Sequence, residues 1–473
     1  MILKKSNDNV TAVSGSFRDP AGRVFDIDGR ILRTVTEVAK EDYNFVRESG
    51  LIADLVDSEK LVPEKLLDRA EHASFDDDVI YVLEHPRLES ISYPYEWSFP
   101  LLKSAALHQL DILLESLKYG VTLSDATAYN IQFNGIRPVF IDHLSFRKYE
   151  DGEYWSGHKQ FCDQFLNPLL LRSLLGVSHN SWYRGSLEGI SAEELNPLLK
   201  WKHKLKMGVL AHVVMQAKLQ QRAGRKTVSK KVTARPLPLR SFQHILEGLR
   251  NQISRLTPKD RGKTVWGDYT EEHSYEIEET QEKKSFIAEF SQATNAAVAW
   301  DLGCNTGEYS QVLLENGTNS VVGFDFDQGA LEKAYARAEA NDLNLLPLFF
   351  DAANPSPNQG WAQLERSGFS ARTNADAMIA LAFVHHLAIT RNIPLGTLVK
   401  WLVHIAPSGV IEFIPKTDPM VQELLSLRKD IFPNYNESHF QEALERYATV
   451  VKKKVISKSG RVLYWYTTDM EKP

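Results

Sequence analysis

The chain has 473 residues, of which 43% are hydrophobic and 25% are charged, and its formal net charge is −6. This length exceeds a single hydrophobic core and predicts two or three domains. The composition is that of a globular protein and excludes fibrous and low-complexity classes. No apolar run is long enough to span a bilayer, and the first residues lack the apolar core of a signal peptide, so the expected location is cytoplasmic.

The cysteines and the charge distribution give little sign of metal or nucleic acid. Cys162 and Cys304 lie far apart and in no metal-ligand spacing, so neither a disulfide framework nor a metal site is expected. One stretch is basic without interruption by acidic residues and contains Arg222, Arg225, Lys226, Lys230, Lys231, Arg235 and Arg240. It is typical of a solvated linker, and the alternative is a binding patch for an anionic partner.

The first half of the chain predicts a large α+β domain over residues 1–221. Its predicted elements are a β-hairpin within 15–35, helices within 41–68, a strand at 79–83, a helix at 101–119, strands at 131–133 and 138–142, and further helices to 221. Asp28-Gly29 is a hairpin turn dipeptide. Pro63 fits the first turn of a second helix, and Gly120 fits the C-terminal cap of the long one.

A sparse motif in this half resembles the catalytic loop and metal-binding Asp of protein and aminoglycoside kinases. It consists of Asp125, Asn130 five residues later, and Asp142. Ser124 stands where kinases often have Arg, His143 stands where many have Phe or Trp, and neither a glycine-rich loop nor its strand lysine is identifiable. The resemblance implies a kinase-like fold, degenerate where these parts of the kinase pattern are missing. The alternative is an unrelated domain that recognises the acceptor or a partner.

The second half alternates regularly between strands and helices. Prolines within 234–239 predict a domain boundary inside a basic linker and helix over 222–265, with the helix at 242–256. The predicted elements that follow are a helix at 281–290, strands at 297–302, 320–325, 345–351, 377–383, 409–414, 449–457 and 461–467, and helices at 308–314, 329–341, 395–405 and 420–428. This alternation predicts an α/β domain whose parallel sheet is covered on both faces, with a terminal antiparallel hairpin.

Acidic residues end three successive predicted strands: Asp301, Asp325 and Asp351. The carboxyl ends of parallel strands line one crevice, so these side chains should converge. Asp325 follows Asp301 by 24 positions, close to the spacing at which an acidic residue binds ribose hydroxyls. Gly303 and Gly307 allow close backbone approach to a ligand. Alternatively, these residues are helix caps and turns of a domain without a ligand.

The same residues resemble a family. The segment from Asp301 to Gly307 is similar to the first motif of class I S-adenosylmethionine-dependent methyltransferases, with Asn305 where glycine is commoner, and 322–325 is similar to their second-strand motif. The resemblance covers residues 266–473. It implies a Rossmann-like seven-stranded sheet whose last strand is inserted antiparallel.

The resemblance implies S-adenosylmethionine as the cofactor, since the loop is not the G-x-G-x-x-G of NAD-binding proteins. Asp325 would hold the ribose, Phe326 would pack against the adenine, and Asp351 with Ala352 would face its amino edge. The residues implied near the methionine end belong to the glycine loop: Asp301, Gly303, Cys304, Asn305 and Gly307. Cys304 is expected to be a packed side chain and not a nucleophile.

Two candidate catalytic residues follow the fourth predicted strand of this half, and a third lies within the fifth. His385 and His386 occupy the segment that borders the methyl group and acceptor in methyltransferases, and a histidine can accept a proton near neutral pH. The sequence does not rank the two, and one could instead hydrogen-bond to the backbone and orient a helix. Glu412 lies inside an apolar strand, so its carboxylate should be hydrogen-bonded or face the cleft.

These observations predict a cytoplasmic two-domain methyltransferase that modifies an oxygen or nitrogen atom. The acceptor is unidentified and could be a small molecule, a glycolipid or a protein, while nucleic acid is not indicated. The alternatives are a cofactor-binding scaffold or sensor without turnover, and a kinase-like phosphotransferase fused to a methyltransferase. The chain length and residues 269–275 also resemble bacterial nodulation-type methyltransferases.

Overall fold

A computed structural model describes residues 10–68, 75–76, 78–218, 236–259, 277–426 and 429–468. The predicted basic stretch, apart from Arg240, and the segment 269–275 lie outside the described residues. Within the described part of the chain, no helix is long and apolar enough to cross a membrane.

The N-terminal half contains one larger antiparallel sheet and two strand pairs. Its strands are β1 (Val10–Ala12), β2 (Val24–Ile27), β3 (Arg30–Thr36), β4 (Lys65–Leu67), β5 (Val79–His85), β6 (Val121–Leu123), β7 (Ile131–Asn134), β8 (Arg137–Phe140) and β9 (Phe146–Lys148). The order in the larger sheet is β1-β2-β3-β5-β4, and β6 pairs with β9 and β7 with β8. Asp28 and Gly29 have φ of 50° and 81°, as the two-residue turn of the predicted hairpin requires.

The helices of this half surround one long buried helix. They are α1 (Lys40–Glu48), α2 (Leu51–Asp57), α3 (Phe99–Ser116), α4 (His158–Phe161), α5 (Asn167–Leu170), α6 (Asn180–Gly185), α7 (Ala192–Leu198), α8 (Trp201–Lys204), α9 (Met207–Val209) and α10 (Leu239–Ser254). The predicted helix at 101–119 is α3, most of whose residues are buried, and Gly120, with φ of 67°, follows its final turn as predicted. α10 packs along α3, where Arg250 pairs with Asp111.

The prediction of a second helix beginning near Pro63 is wrong. The helical segment ends with α2, and the residues after Pro63 form β4, which pairs antiparallel with β5. The carbonyl of Pro63 accepts a hydrogen bond from His85 Nδ1 at 2.9 Å. The pairing partner lies beyond the sequence window in which helical spacing is judged, so long-range strand pairing outweighed the local pattern.

The C-terminal half is the predicted Rossmann-like sheet of seven strands. They are β10 (Val298–Leu302), β11 (Ser320–Asp325), β12 (Leu345–Phe349), β13 (Ala377–Ala380), β14 (Ser408–Phe413), β15 (Thr449–Val455) and β16 (Val462–Thr467). The order is β12-β11-β10-β13-β14-β16-β15, and β16 lies antiparallel between β14 and β15. The implied antiparallel insertion of the last strand is therefore confirmed, and with it the methyltransferase-like α/β fold.

Helices cover this sheet and explain its continuous apolar strands. They are α11 (Ile277–Thr294), α12 (Glu308–Glu315), α13 (Gln328–Asn341), α14 (Leu395–Val403), α15 (Pro419–Ser426) and α16 (Glu437–Glu445). All five residues of β10 and all four of β13 are buried, as expected of parallel strands with both faces covered. α16 was not among the predicted elements, and Asn436 caps it by accepting from the backbone N–H of His439.

The two halves share one contiguous hydrophobic core that includes residues of α3 and of the seven-stranded sheet. Trp97, fully buried, forms an isolated bridge with Leu348 of β12. Nearby, the guanidinium of Arg372 pairs with the carboxylate of Glu96. The N-terminal half therefore packs directly on the sheet that carries the candidate site.

Candidate functional site

A cavity of about 380 Å³ opens at the carboxyl ends of the parallel strands. This volume lies within the range of small-molecule sites. Ten of the twelve predicted site residues line it: Asp301, Gly303, Cys304, Asn305, Asp325, Phe326, Asp351, Ala352, His385 and His386. The other two, Gly307 and Glu412, are not among its lining residues and have other roles, described below.

The turn between β10 and α12 is built from left-handed residues. Gly303, Asn305 and Gly307 have φ of 80°, 49° and 76°. A Cβ at Gly303 would lie 3.1 Å from the Phe383 ring, which also lines the cavity, so this glycine keeps one wall close-packed. A Cβ at Gly307 would instead lie 2.9 Å from Leu345, inside the core. Gly307 is thus required for the turn that begins α12 and for its close packing against Leu345.

Asp325 ends β11 and is held by backbone amides. Its Oδ2 accepts from Asn305 N and its Oδ1 from Asp327 N, each at 2.8 Å. Burial raises the pKa of this carboxyl to about 6. Each oxygen retains a second lone pair, so the two bonds orient the group while leaving it able to accept two further hydrogen bonds. The geometry suits a ligand with neighbouring hydroxyls.

Asp301 and Cys304 lie deeper in the same wall. Asp301 Oδ2 accepts from Ser310 Oγ at 2.6 Å, and burial, with a smaller contribution from Asp325, raises its pKa to about 7. Burial also raises the pKa of the Cys304 thiol well above its ordinary value. A Cβ at Gly323 would lie 3.0 Å from the Cys304 sulfur. Cys304 is thus a packed side chain, as the sequence suggested.

The outer edge of the cavity offers an aromatic face and a further carboxylate. The Phe326 side chain is 55% exposed, and its ring centroid lies 5.7 Å from that of Phe349. An exposed phenylalanine on a cavity rim provides an apolar surface for a planar ring. Asp351 lies two residues beyond the end of β12, where its Oδ1 accepts from Ala353 N at 3.0 Å.

His385 and His386 lie side by side, with ring centroids 4.0 Å apart. Burial lowers the pKa of His385 well below its ordinary value and that of His386 to about 4, so both rings are neutral at neutral pH. Neither ring nitrogen of His385 has a hydrogen-bond partner among the described residues, although the ring is almost completely buried. His386 does have an interaction partner. The unsatisfied ring of His385 faces a cavity that could supply its partner.

Glu412 lies behind the cavity wall. Its Oε2 accepts from Lys283 Nζ and from Ala382 N, each at 2.7 Å, and the side chain is fully buried. Burial would raise the pKa of this carboxyl, but Lys283 and Arg461 lower it below its ordinary value. Ala382 has φ of 50°, a conformation that its bond to Glu412 helps to hold. Glu412 therefore shapes the loop before the two histidines.

Two cationic residues that were not predicted as site residues also line the cavity, Lys283 and Arg461. Lys283 belongs to α11 and is 2% exposed, with Nζ 4.9 Å from the ring centroid of Tyr309. Arg461 forms a bidentate pair with Asp418, at 2.7 and 3.0 Å. A lysine on a helix normally faces solvent, so no local signal marked Lys283 as buried.

A second group of polar side chains meets in the N-terminal half. Asn130 Nδ2 donates to Asp125 Oδ1 and to Asp142 Oδ2, at 3.2 Å each, and Arg33 of β3 forms an ion pair with Asp142. Burial and the nearby Asp142 raise the pKa of Asp125 to about 7. Burial opposes ionisation of Asp142 too, but Arg33 lowers its pKa below the ordinary value. The three residues of the kinase-like motif thus lie together.

Comparison with known proteins gives one full-length relative. The chain is 46% identical to nodulation protein NoeA of Rhizobium meliloti (strain 1021) over 459 residues, which are 96% of this chain and 95% of the relative. No protein-family model matches the chain.

The solved structures that show remote likeness include a kinase-methyltransferase and an N-methyltransferase. The bifunctional kinase-methyltransferase WbdD is 18% identical, with a TM-score of 0.31, and the match covers 46% of this chain and about half, 46%, of that protein. The N-methyltransferase NodS from Bradyrhizobium japonicum WM9 is 10% identical, with a TM-score of 0.31 and coverage of 41% and 98%. At such identities, what these proteins bind or act on is not carried over to this chain.

Proposed function

The chain belongs to the family of nodulation protein NoeA, and from the geometry of its cavity we propose that it transfers a methyl group from S-adenosylmethionine to an acceptor oxygen or nitrogen. The observation that carries the proposal is the convergence of Asp301, Asp325 and Asp351 on one cavity at the ends of β10, β11 and β12. When bound there, S-adenosylmethionine supplies a methyl group activated on a sulfonium.

The cavity residues fit this group. Asp325 has lone pairs free for two ribose hydroxyls, and its orientation is fixed by two amides. Phe326 offers an apolar face for the adenine, with Asp351 and Ala352 on the same rim. Gly303 lets the turn pack against the Phe383 ring, at the wall beside which the methionine end would lie.

The acceptor side of the cavity includes His385 and the loop held by Glu412. We infer that His385, whose ring nitrogens have no protein partner among the described residues, accepts the acceptor's proton or hydrogen bond. Glu412 is a positioning residue, since it contacts Lys283 and Ala382. Holding the acceptor in line with the methyl group supplies much of the acceleration in such a reaction.

The N-terminal half is proposed to select the acceptor, because it packs directly on the methyltransferase sheet. Calorimetry with the full-length protein tests the cofactor, and the absence of binding heat with folded protein would refute the proposal. Labelled methyl transfer into protein, lipid, RNA and small-molecule fractions of a cell extract then identifies the acceptor class. Binding without transfer to any fraction would instead support a scaffold or sensor.

A second candidate function is ATP-dependent phosphoryl transfer by the N-terminal half. It rests on the close approach of Asp125, Asn130 and Asp142, residue types that bind Mg²⁺ and position a hydroxyl in kinases. The ion pair of Arg33 with Asp142 opposes it, since it neutralises a carboxylate that the metal would need. Titration of the full-length protein with ATP and Mg²⁺ tests whether the nucleotide binds, and an absence of binding would refute this candidate function.

A further inference from the structure

Two histidines and a cysteine of the N-terminal half meet away from both sites described above. His158 begins α4, Cys162 follows one turn later, and His212 comes from a separate segment 50 positions further along the chain. One ligand atom from each side chain lies within 4.8 Å of the other two. Cys162 and His212 both lie in π-helical segments, Cys162–Leu166 and Leu210–Val214, and π turns are frequent at functional sites.

The spacing of the ligand atoms matches a tetrahedral metal site. His158 Nε2 lies 3.1 Å from His212 Nδ1 and 3.8 Å from Cys162 Sγ. Bond lengths of about 2.0–2.1 Å from zinc to nitrogen and about 2.3 Å to sulfur separate neighbouring tetrahedral ligands by roughly 3.4–3.6 Å. Movements of a few tenths of an ångström would bring these two pairs to that spacing. The third pair, His212 and Cys162, lies within 4.8 Å and would close by roughly 1.2 Å at most.

Gln216 supplies the outer contact that a histidine ligand requires. Its side-chain amide lies 3.2 Å from His158 Nδ1, on the side of the ring opposite to Cys162 and His212. With Gln216 Nε2 as the donor, the buried Gln216 Oε1 has no partner among the described residues. Rotating the amide by 180° lets Oε1 accept the Nδ1 proton, which leaves the Nε2 lone pair directed at the other two side chains.

All three groups are neutral at neutral pH when no cation is nearby. Burial lowers the pKa of His158 and lowers that of His212 to about 4, so both imidazoles carry a free lone pair at neutral pH. Burial raises the pKa of the Cys162 thiol, so it stays protonated without a nearby cation. A bound metal would displace that proton to solvent as the metal–sulfur bond forms.

We propose that His158, Cys162 and His212 bind one Zn²⁺ ion, with water in the fourth position. Two imidazoles and a thiolate favour zinc over the hard cations magnesium and calcium. The ion would join α4 to the Leu210–Val214 segment, two pieces of chain distant in sequence. None of the three residues lines the cavity described above, so the proposal does not depend on the proposed methyl transfer.

Cobalt titration of the full-length protein, after dialysis against a chelator, tests the site. We expect thiolate-to-cobalt charge-transfer absorption in the near ultraviolet that one equivalent of Zn²⁺ per chain abolishes. Cys162→Ala should remove this absorption, whereas Cys304→Ala, the matched change at the other cysteine, should retain it. Absence of the absorption in the unsubstituted protein, or its persistence in Cys162→Ala, would overturn the proposal.

A second variant covers the case in which Cys162→Ala does not fold. His212 is only partly buried, so His212→Gln should fold and should weaken zinc binding at least roughly tenfold. At the same zinc concentration, the melting temperature of the unsubstituted protein should also rise more than that of His212→Gln. Equal zinc affinity in the two proteins would show that the cluster is ordinary packing.

Discussion

Asp325 is the residue on which cofactor binding should depend most. Replacing it by Ala removes both carboxylate oxygens, which bind Asn305 N and Asp327 N and face the cavity. We expect Asp325→Ala to weaken S-adenosylmethionine binding at least roughly tenfold, because charge-assisted hydrogen bonds are lost. Calorimetry measures the change, and Glu339→Ala, an exposed carboxylate on α13, serves as the control. Equal affinities in all three proteins would remove Asp325 from the site.

The raised pKa of Asp301 predicts how stability depends on pH without cofactor. Burial raises this pKa from 3.8 to about 7, so the folded state holds a proton that the unfolded state releases between about pH 4 and 7. The stabilisation is complete below pH 4 and is lost as pH rises through 7. We compare the unfolding free energy of Asp301→Asn with that of the unsubstituted protein at each pH. The difference should favour the variant more at pH 8 than at pH 5, by on the order of 1 kcal/mol or more.

Urea unfolding at pH 5 and pH 8 measures this difference. Asp342→Asn is the matched control, because the Asp342 side chain is 82% exposed and asparagine tolerates its left-handed conformation. A pH dependence that is identical in Asp301→Asn and the unsubstituted protein would contradict the prediction.

Substitutions of His385 and His386 should have different effects on kcat, although the sequence could not rank the two residues. His385 lines the cavity, and neither of its ring nitrogens has a hydrogen-bond partner among the described residues. His386 has an interaction beyond its ring contact with His385. We expect His385→Asn to lower kcat by about 100-fold, the lower end of the range for general-base catalysis, and His386→Asn to lower it much less. Labelled-methyl assays on the identified acceptor measure both, and the opposite ranking would assign the role to His386.

At the scale of elements, the turn between β10 and α12 contains two glycines that are required for different reasons, one at the cavity wall and one in the core. Gly303→Ala places a methyl group 3.1 Å from Phe383 at the cavity, whereas Gly307→Ala places one 2.9 Å from Leu345 in the core. Both positions are left-handed, which costs an L-residue about 1 kcal/mol or more. Gly307→Ala should therefore lower stability more than Gly303→Ala.

For cofactor affinity we expect the larger loss in Gly303→Ala and the smaller loss in Gly307→Ala. Gly303→Ala should weaken binding in calorimetry because it alters the cavity wall, and Gly307→Ala should bind almost normally once folded. Urea titrations of both variants supply the stability values. Loss of affinity confined to Gly307→Ala would mean that the ligand approaches the other end of the turn.

The whole molecule is expected to unfold as one unit because its halves share a core. Asn180 of α6 donates to the carbonyls of Tyr95 and Trp97 and accepts from Gln328 of the C-terminal half, at 2.9 Å each. Asn180→Leu leaves these buried groups unpaired and should destabilise the protein by about 2–5 kcal/mol. Scanning calorimetry should show one transition, shifted as a whole.

The control for this change is Asn251→Leu, on the exposed face of α10, which should leave the transition nearly unchanged. Two separate transitions, of which Asn180→Leu shifts one, would show that the halves are energetically independent. That result would support the predicted division into residues 1–221, a linker, and 266–473 as separately folding domains.

Local patterns in the sequence determined most of the elements and one wall of the site. Parallel strands are continuous apolar runs, and their acidic ends must meet at one edge, so Asp301, Asp325 and Asp351 could be placed together without coordinates. The hairpin at Asp28-Gly29 and the cap at Gly120 follow from left-handed turn chemistry, which depends on neighbouring residues alone.

Only the tertiary structure decided which distant side chains meet. Lys283 lies beneath the cavity because Glu412, 129 positions later, binds it inside the core, and the segment after Pro63 became β4 because β5 was available to pair. His158 and His212 likewise approach through packing of separate helices. Spacing along the chain does not predict such contacts. Their free energy depends on two distant side chains being buried next to each other, which happens only in the folded protein.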